Sequence, residues 1–306
     1  MENRVQVYMK MFFLLGLISF NSLSATLSEQ VNAAKRTANT DPSCIAIRPF
    51  YWEIGDQLSA LVSGQSGIAA PSAKTPMEIA SASKLIFSAY VVEKREGQLS
   101  VSEKNHLRFL SGYDKFTACL SFSTVEGCLN SGQNGERTLS SVGKFAYGGG
   151  HMQKLAVTMG LGDFGNAELT TEINSLVGIH GKFEAPQPAG GYSTSSQDYG
   201  FFLRNLMNRK LKISALLGTN SICTTPELCP TEAVSSPAPK GWKYSYGHWV
   251  ETDGTLSSPG KLGFYPWIDQ TNGIYGVIGR KSQTSDAYLT SIECGQKIRR
   301  AFISGK

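Results

Sequence analysis

The spacing of apolar residues changes period several times along the chain, and each change marks an element. Thr26-Leu-Ser-Glu29 has the spacing of a capping box, and Leu27, Val31 and Ala34 follow at helical intervals. These predict a helix to about residue 38, ended by Asp41-Pro42. Cys44–Ile47, Pro49–Ile54 and Leu58–Val62 read as strands, with a turn at Gly55-Asp56. A Gly- and Ala-rich loop, Gly64–Ala73, leads to Met77–Val92. That stretch has no Gly or Pro, and past Glu78 only Lys84 interrupts its apolar and small residues. A helix apolar on all sides is a buried one, so a buried helix is expected here, ending by Gly97.

From about 98 to 225 the pattern is helical but interrupted. A polar loop spans Cys119–Gly135, Leu139–Tyr147 leads into Gly148-Gly149-Gly150, and a helix is expected over His151–Met159. Gly160-Leu-Gly-Asp-Phe-Gly165 matches a dinucleotide-binding spacing, but it follows a helix and lacks a βαβ frame, so that reading is rejected. Ser195 caps a helix whose Tyr199, Phe202, Leu203 and Leu206 form a core stripe. Pro226, Pro230, Pro237 and Pro239 mark a linker. Beyond it Tyr244–Glu251, Leu262–Asp269 and Ile274–Arg280 are strands, the last two joined at Thr271-Asn-Gly273. Pro266 inside one of them predicts a bulge or an edge strand. A closing helix is expected over Ser285–Phe302.

Composition adds compartment. Arg4 and Lys10 precede the apolar run Met11–Phe20, and Ser22, Ser24 and Ala25 follow. That is the order of a signal peptide, placed at 1–25, and the run is too short for a membrane span. No Cys near the cut offers a lipid site, so no stable membrane anchor is expected after cleavage. Net charge is +5 over 306 residues and scattered; it gives no case for nucleic acid. The six cysteines, Cys44, Cys119, Cys128, Cys223, Cys229 and Cys294, suit an oxidising compartment, periplasmic or secreted. They allow about 15 pairings; proximity favours Cys119–Cys128 and Cys223–Cys229, leaving Cys44–Cys294. No Cys-x-x-Cys occurs and the four His are scattered, so no metal is expected.

The chemistry centres on the buried helix. Ser81 and Lys84 are three residues apart and share one helical face. The same spacing recurs at Ser141/Lys144 and Ser258/Lys261, but Gly or Pro spoils both settings. A serine hydroxyl is inert at its free pKa and needs a base beside it. Lys84 can serve if burial lowers its pKa from about 10.4 toward 7–8, a shift of about 4 kcal/mol.

Ile79-Ala-Ser81-Ala-Ser-Lys84 resembles the first motif of the serine β-lactamase and penicillin-binding superfamily, nearest the branch of class C β-lactamases, D-alanyl-D-alanine carboxypeptidases and related esterases. Pro188–Asp198 and Tyr244–Trp249 resemble further segments of that branch, in the same order. The resemblance spans roughly residues 45–300. It implies an α/β (α+β) fold, a mixed antiparallel sheet flanked by helices beside an all-helical subdomain. Residues 26–97 and 235–306 would form the α/β part and 98–234 the helical part. It implies Ser81 as nucleophile, with Lys84 or Tyr147 as base. Tyr147-Gly148-Gly149 aligns with the family's Tyr-x-Asn, so Gly149 stands where the family has Asn. Ser258-Pro-Gly260 aligns with its Lys-x-Gly or His-x-Gly, so the cation is missing there too. Lys261-Leu-Gly263 is the slipped alternative. The resemblance assigns the oxyanion-binding N–H groups to Ser81 and Lys261 and gives Gly260 a close backbone approach to substrate. His151 is expected at the surface or behind the site, and Trp249 and Trp267 in the core. The expectation is an exported, monomeric serine hydrolase needing no cofactor, acting on a small-molecule or peptide-like acyl substrate. The alternative is a non-catalytic penicillin-binding-like domain that binds or senses a ligand. The two departures weaken the case for an efficient β-lactamase and leave acyl transfer intact.

Overall fold

The computed structural model describes residues 25–306, so the predicted signal segment lies outside the described residues, apart from Ala25. The capping box at Thr26 and Glu29 forms, and the first helix runs Leu27–Thr40. The expected strand at Cys44–Ile47 is instead a helical turn, Pro42–Ala46. Asp41 takes the N-cap and Pro42 the first helical position, where its missing N–H costs nothing.

Among the described residues the main sheet has eight strands. In spatial order they are Ala60–Ser66, Phe50–Gly55, Ile274–Gly279, Tyr265–Asp269, Leu256–Ser257, His248–Val250, Lys243–Ser245 and Ile222–Cys223. Every pairing in it is antiparallel. Ile222–Cys223, from the stretch assigned to the helical part, forms one edge. The expected strand Tyr244–Glu251 is in fact a hairpin that turns at Gly247, φ 75°. Period-2 alternation puts Ile278 against Gly295 of the closing helix, Ala287–Ser304, and Gly279 against Ser196 of the helix Ser196–Met207. The sheet is thus covered by helices on both faces, with the first helix packed on the closing one.

Pro266 lies inside the strand Tyr265–Asp269 without a register shift. Its carbonyl accepts from Ser258 N–H at 3.2 Å, but it has no N–H to return. The ladder from Leu256–Ser257 therefore stops there, and Ser258-Pro259-Gly260 leaves the sheet. Neither expectation for Pro266 holds: there is no bulge, and its strand is interior, paired on both sides.

The buried helix is shorter than the pattern predicts. Met77–Glu78 pairs with Tyr192–Thr194, a 3-10 turn covers Ala80–Ala82, and the α-helix is Ser83–Lys94. Its residues from Ser83 to Val92 are all buried. The helix expected at His151–Met159 is Gly150–Ala156, continued by a π turn over Val157–Leu161. All three disulfides form as proximity suggested: Cys119–Cys128, Cys223–Cys229 and Cys44–Cys294.

The Cys44–Cys294 bridge closes a separation of 250 residues. On the chain-entropy account such a loop contributes about 5.5 kcal/mol. Replacing both cysteines with serine is expected to lower the unfolding free energy by that order and to raise the m value, because the unfolded chain is no longer cross-linked, both read from urea unfolding.

Candidate active site

The turn that carries Ser81 is held from three sides. Ile79 N–H donates to Tyr192 O at 3.1 Å, and Ser83 Oγ donates to Ala80 O at 2.6 Å. Tyr199 Oη donates to Ala82 O at 2.9 Å. Ala80 is fixed at φ 44°, a left-handed conformation that costs a non-glycine residue energy and recurs where function imposes it. The result is that Ser81 projects from the 3-10 turn just ahead of the helix, half-exposed, while Lys84 sits one turn on and is only 5% exposed.

Lys84 Nζ stands 2.8 Å from Ser81 Oγ and donates to Ala189 O at 2.7 Å. It also lies 5.0 Å from the centre of the Tyr147 ring. None of these partners is a carboxylate. Burial is therefore uncompensated, and it drives the Lys84 pKa from 10.5 down to about 7. Burial has the opposite effect on Tyr147, whose phenol is pushed up to about 12 with Ser81 pulling weakly the other way. Near neutral pH the amine is partly unprotonated while the phenol keeps its proton. Of the two candidate bases, Lys84 is the one in the right state.

Tyr147 is set by the segment around it. His151 is fully buried, correcting the alternative of a surface position. Its Nε2 pairs with Ala146 O at 2.9 Å and its Nδ1 with Ser111 Oγ at 2.7 Å. Burial lowers its pKa to about 3, so it stays neutral and holds the residue before Tyr147 in place. The Tyr147 ring stacks on Trp249 at 5.4 Å between centroids.

Ser81, Tyr147 and Lys261 line one cavity of about 330 Å³. Gly260 passes so close to the turn carrying Ser81 that a Cβ on it would lie 2.0 Å from Ile79 O. Only glycine allows that approach, which is to the turn itself, whereas the sequence reading expected an approach to substrate. Ser258 is buried, with Oγ 3.5 Å from Ser81 O. The Lys261 N–H has no hydrogen-bond partner among the described residues, and its side chain is exposed at the cavity mouth. Ser81 N–H lies in the first turn, ahead of the Ala82 and Ser83 N–H groups that bond Ile79 O and Ala80 O. Gly149 is not in the lining. A Cβ there would meet Phe116 Cδ1 at 2.8 Å, so the ring of Phe116 occupies the space an Asn would need.

The remaining wall is apolar and was missed by local reading. Pro237-Ala238-Pro239, from the stretch read as linker, forms one side. Trp242 and Trp249, both buried, form another, so Trp249 is packed like core yet faces the cavity, whereas Trp267 is core alone. Tyr288 and Ile292 of the closing helix complete it, and Tyr288 Oη donates to Pro237 O at 2.9 Å. Only proline spacing and isolated aromatics marked these residues, and neither signal tells a wall from a linker. Among the described residues no group of three His, Cys, Asp or Glu side chains could hold a metal ion.

No family model matches the chain, and no curated protein sequence matches it. Solved structures do. EstCE1, a hydrolase with promiscuous acyltransferase activity, superposes with a TM-score of 0.65 at 13% identity, over 90% of this chain and 98% of that one. A β-lactamase from Mycobacterium bovis gives 0.57 at 12%, over 84% and 96%. A D-stereospecific amidohydrolase from Streptomyces sp. gives 0.60 at 10%, over 92% and 99%. The chain shares its fold with these structures, a β-lactamase and other hydrolases.

The Lys84 shift has a thermodynamic signature. Between its folded pKa of about 7 and its ordinary 10.5, the unfolded chain binds the extra proton, so stability rises with pH across that window. Below about 7 both states are protonated and the slope vanishes. Lys84→Met is expected to abolish this rise, which for the wild type amounts to about 2.7 kcal/mol between pH 6 and pH 9. Urea unfolding of both proteins at pH 6 and pH 9 measures it; parallel pH dependence would show that Lys84 is not buried neutral.

Proposed function

We propose that this protein is an exported serine hydrolase that cleaves an ester or amide through an acyl-Ser81 intermediate. The observation that carries the reading is a lysine without a counter-ion, 2.8 Å from a serine hydroxyl that opens into a cavity. The unprotonated Lys84 amine accepts the Ser81 proton as Oγ attacks the carbonyl carbon. The Ser81 and Lys261 N–H groups receive the negative charge on the carbonyl oxygen. As the tetrahedral species collapses, the bond to the leaving group breaks. Tyr147 Oη–H hands the leaving group its proton and regains one from the Lys84 ammonium. Water then takes the place of the leaving group, and the same groups run the steps in reverse to release the acid.

The three disulfides and the signal-like N-terminal pattern support a periplasmic or secreted protein. No helix among the described residues is long and apolar enough to cross a membrane. The chain acts as a monomer on a small-molecule or peptide-like acyl substrate, without a cofactor. A second reading has its own observations: Phe116 fills the space beside Gly149, and a buried Ser258 stands where a cation would help hold an anionic ligand. These favour a binding or sensing domain that kept the fold and lost turnover.

A fluorophosphonate probe and a fluorescent penicillin, each followed by peptide mapping, separate the two. Labelling at Ser81 that is lost in Ser81→Ala is the expected result. Lys84→Ala is expected to slow acylation by about 10²–10⁴-fold. Ligand binding that survives Ser81→Ala, with no labelled serine in the wild type, would establish the binding domain instead. The wild-type kcat/KM should also fall below pH of about 7, as Lys84 takes up its proton.

A further inference from the structure

The cavity beside Ser81 has a chemical character of its own, and that character narrows the substrate. We infer that the site selects esters carrying a bulky apolar group, aromatic or compactly branched, next to the scissile bond. This rests on the acyl-enzyme reading above and deepens it.

The volume is about 330 Å³. An apolar protein cavity of about 150 Å³ is enough to bind benzene, so this one has room for roughly two such rings. Its walls are built to stay open. Pro237, Pro239 and Pro259 fix their own backbone dihedrals, and the Tyr288–Pro237 hydrogen bond ties the closing helix to the facing segment. Trp242 and Trp249 are buried against each other, 6.3 Å between centroids, and leave indole surface toward the cavity. Flat aromatic surface held rigidly favours a flat or compact apolar guest, because little ordering remains to be done on binding.

Charge points the same way. Lys261 is the single ionised side chain among the lining residues, and no carboxylate faces the cavity. A cationic substrate would find no partner there. The lining is also poor in groups that could hold the amides of a peptide. The Tyr288 hydroxyl already donates to Pro237 O, Ser81 and Tyr147 serve the reacting centre, and Ser285, on the exposed rim, is the one hydroxyl left free among the described lining residues. An amide set against the ring and methyl carbons of Pro237, Ala238 and Pro239 gives up water for side chains with no hydrogen-bonding group, whereas an aryl or branched alkyl group loses nothing polar. An ester has no N–H to leave unpaired, which is why esters and not amides fit the wall.

The test uses the intact, disulfide-bonded protein and a pH-stat. Ethyl acetate, ethyl pivalate and ethyl phenylacetate vary the acyl side, benzyl acetate varies the alcohol side with a leaving alcohol of similar basicity, and N-acetylglycine ethyl ester supplies an amide. With each kcat/KM divided by the ester's own hydroxide-catalysed rate constant, either bulky class is expected to exceed ethyl acetate by at least about tenfold, and the amide-bearing ester to fall below the bulky ones. Trp242→Ala enlarges the cavity and Ala238→Phe fills it. Each is expected to cut the bulky-to-acetate ratio by about tenfold, mostly through KM. Fluorophosphonate labelling of Ser81 is run on every protein, and circular dichroism checks that each variant is folded. Absence of label in the wild type refutes the acyl-enzyme reading itself. Label with a ratio near one, or a ratio that neither variant moves, overturns the selectivity while leaving the acyl-enzyme reading standing.

Discussion

An ammonium group taken out of water with no anion to meet it is the constraint on which the site rests. Lys84 gives up hydration for one carbonyl, one hydroxyl and the neighbourhood of an aromatic ring. A carboxylate in the same place would have restored the charge and removed the basicity. The surrounding elements have to keep that environment dry and uncharged. The Gly190-Gly191 turn delivers the Ala189 carbonyl, Tyr147 covers one side of the amine, and the buried helix supplies apolar neighbours along its length.

Positioning follows from pairings between segments far apart in the chain. The strand Tyr192–Thr194 fixes the approach to Ser81, and Tyr199 from the following helix fixes the departure. Pro266 ends a ladder one strand away, and that lets Ser258-Pro259-Gly260 turn toward the segment carrying Ser81. The left-handed Ala80 is the point where these demands meet. A relaxed backbone there would carry the serine off along the helix axis.

What the sequence made legible was local. Ser81 and Lys84 could be paired from their spacing within an apolar run, and the short-range cysteine pairs from their proximity. The start of the buried helix could not be read, because it depends on Met77–Glu78 being recruited as a strand by residues over a hundred positions later. The Ala189 carbonyl was invisible, since a backbone acceptor has no letter of its own. Pro237–Pro239 looked like a connector because proline reports only its own dihedral, not what lies opposite. The missing Asn at Gly149 was plain from alignment with the motif, but its physical counterpart, the Phe116 ring, comes from a loop with no pattern to announce it.

The closing helix joins two roles that are usually separate. Cys294 staples it to Cys44, and two turns or less before that cysteine the same helix offers Tyr288 and Ile292 to the cavity. The bridge and the cavity wall thus share one rigid element, so a shift of this helix along its axis would move Tyr288 and Ile292 together with Cys294.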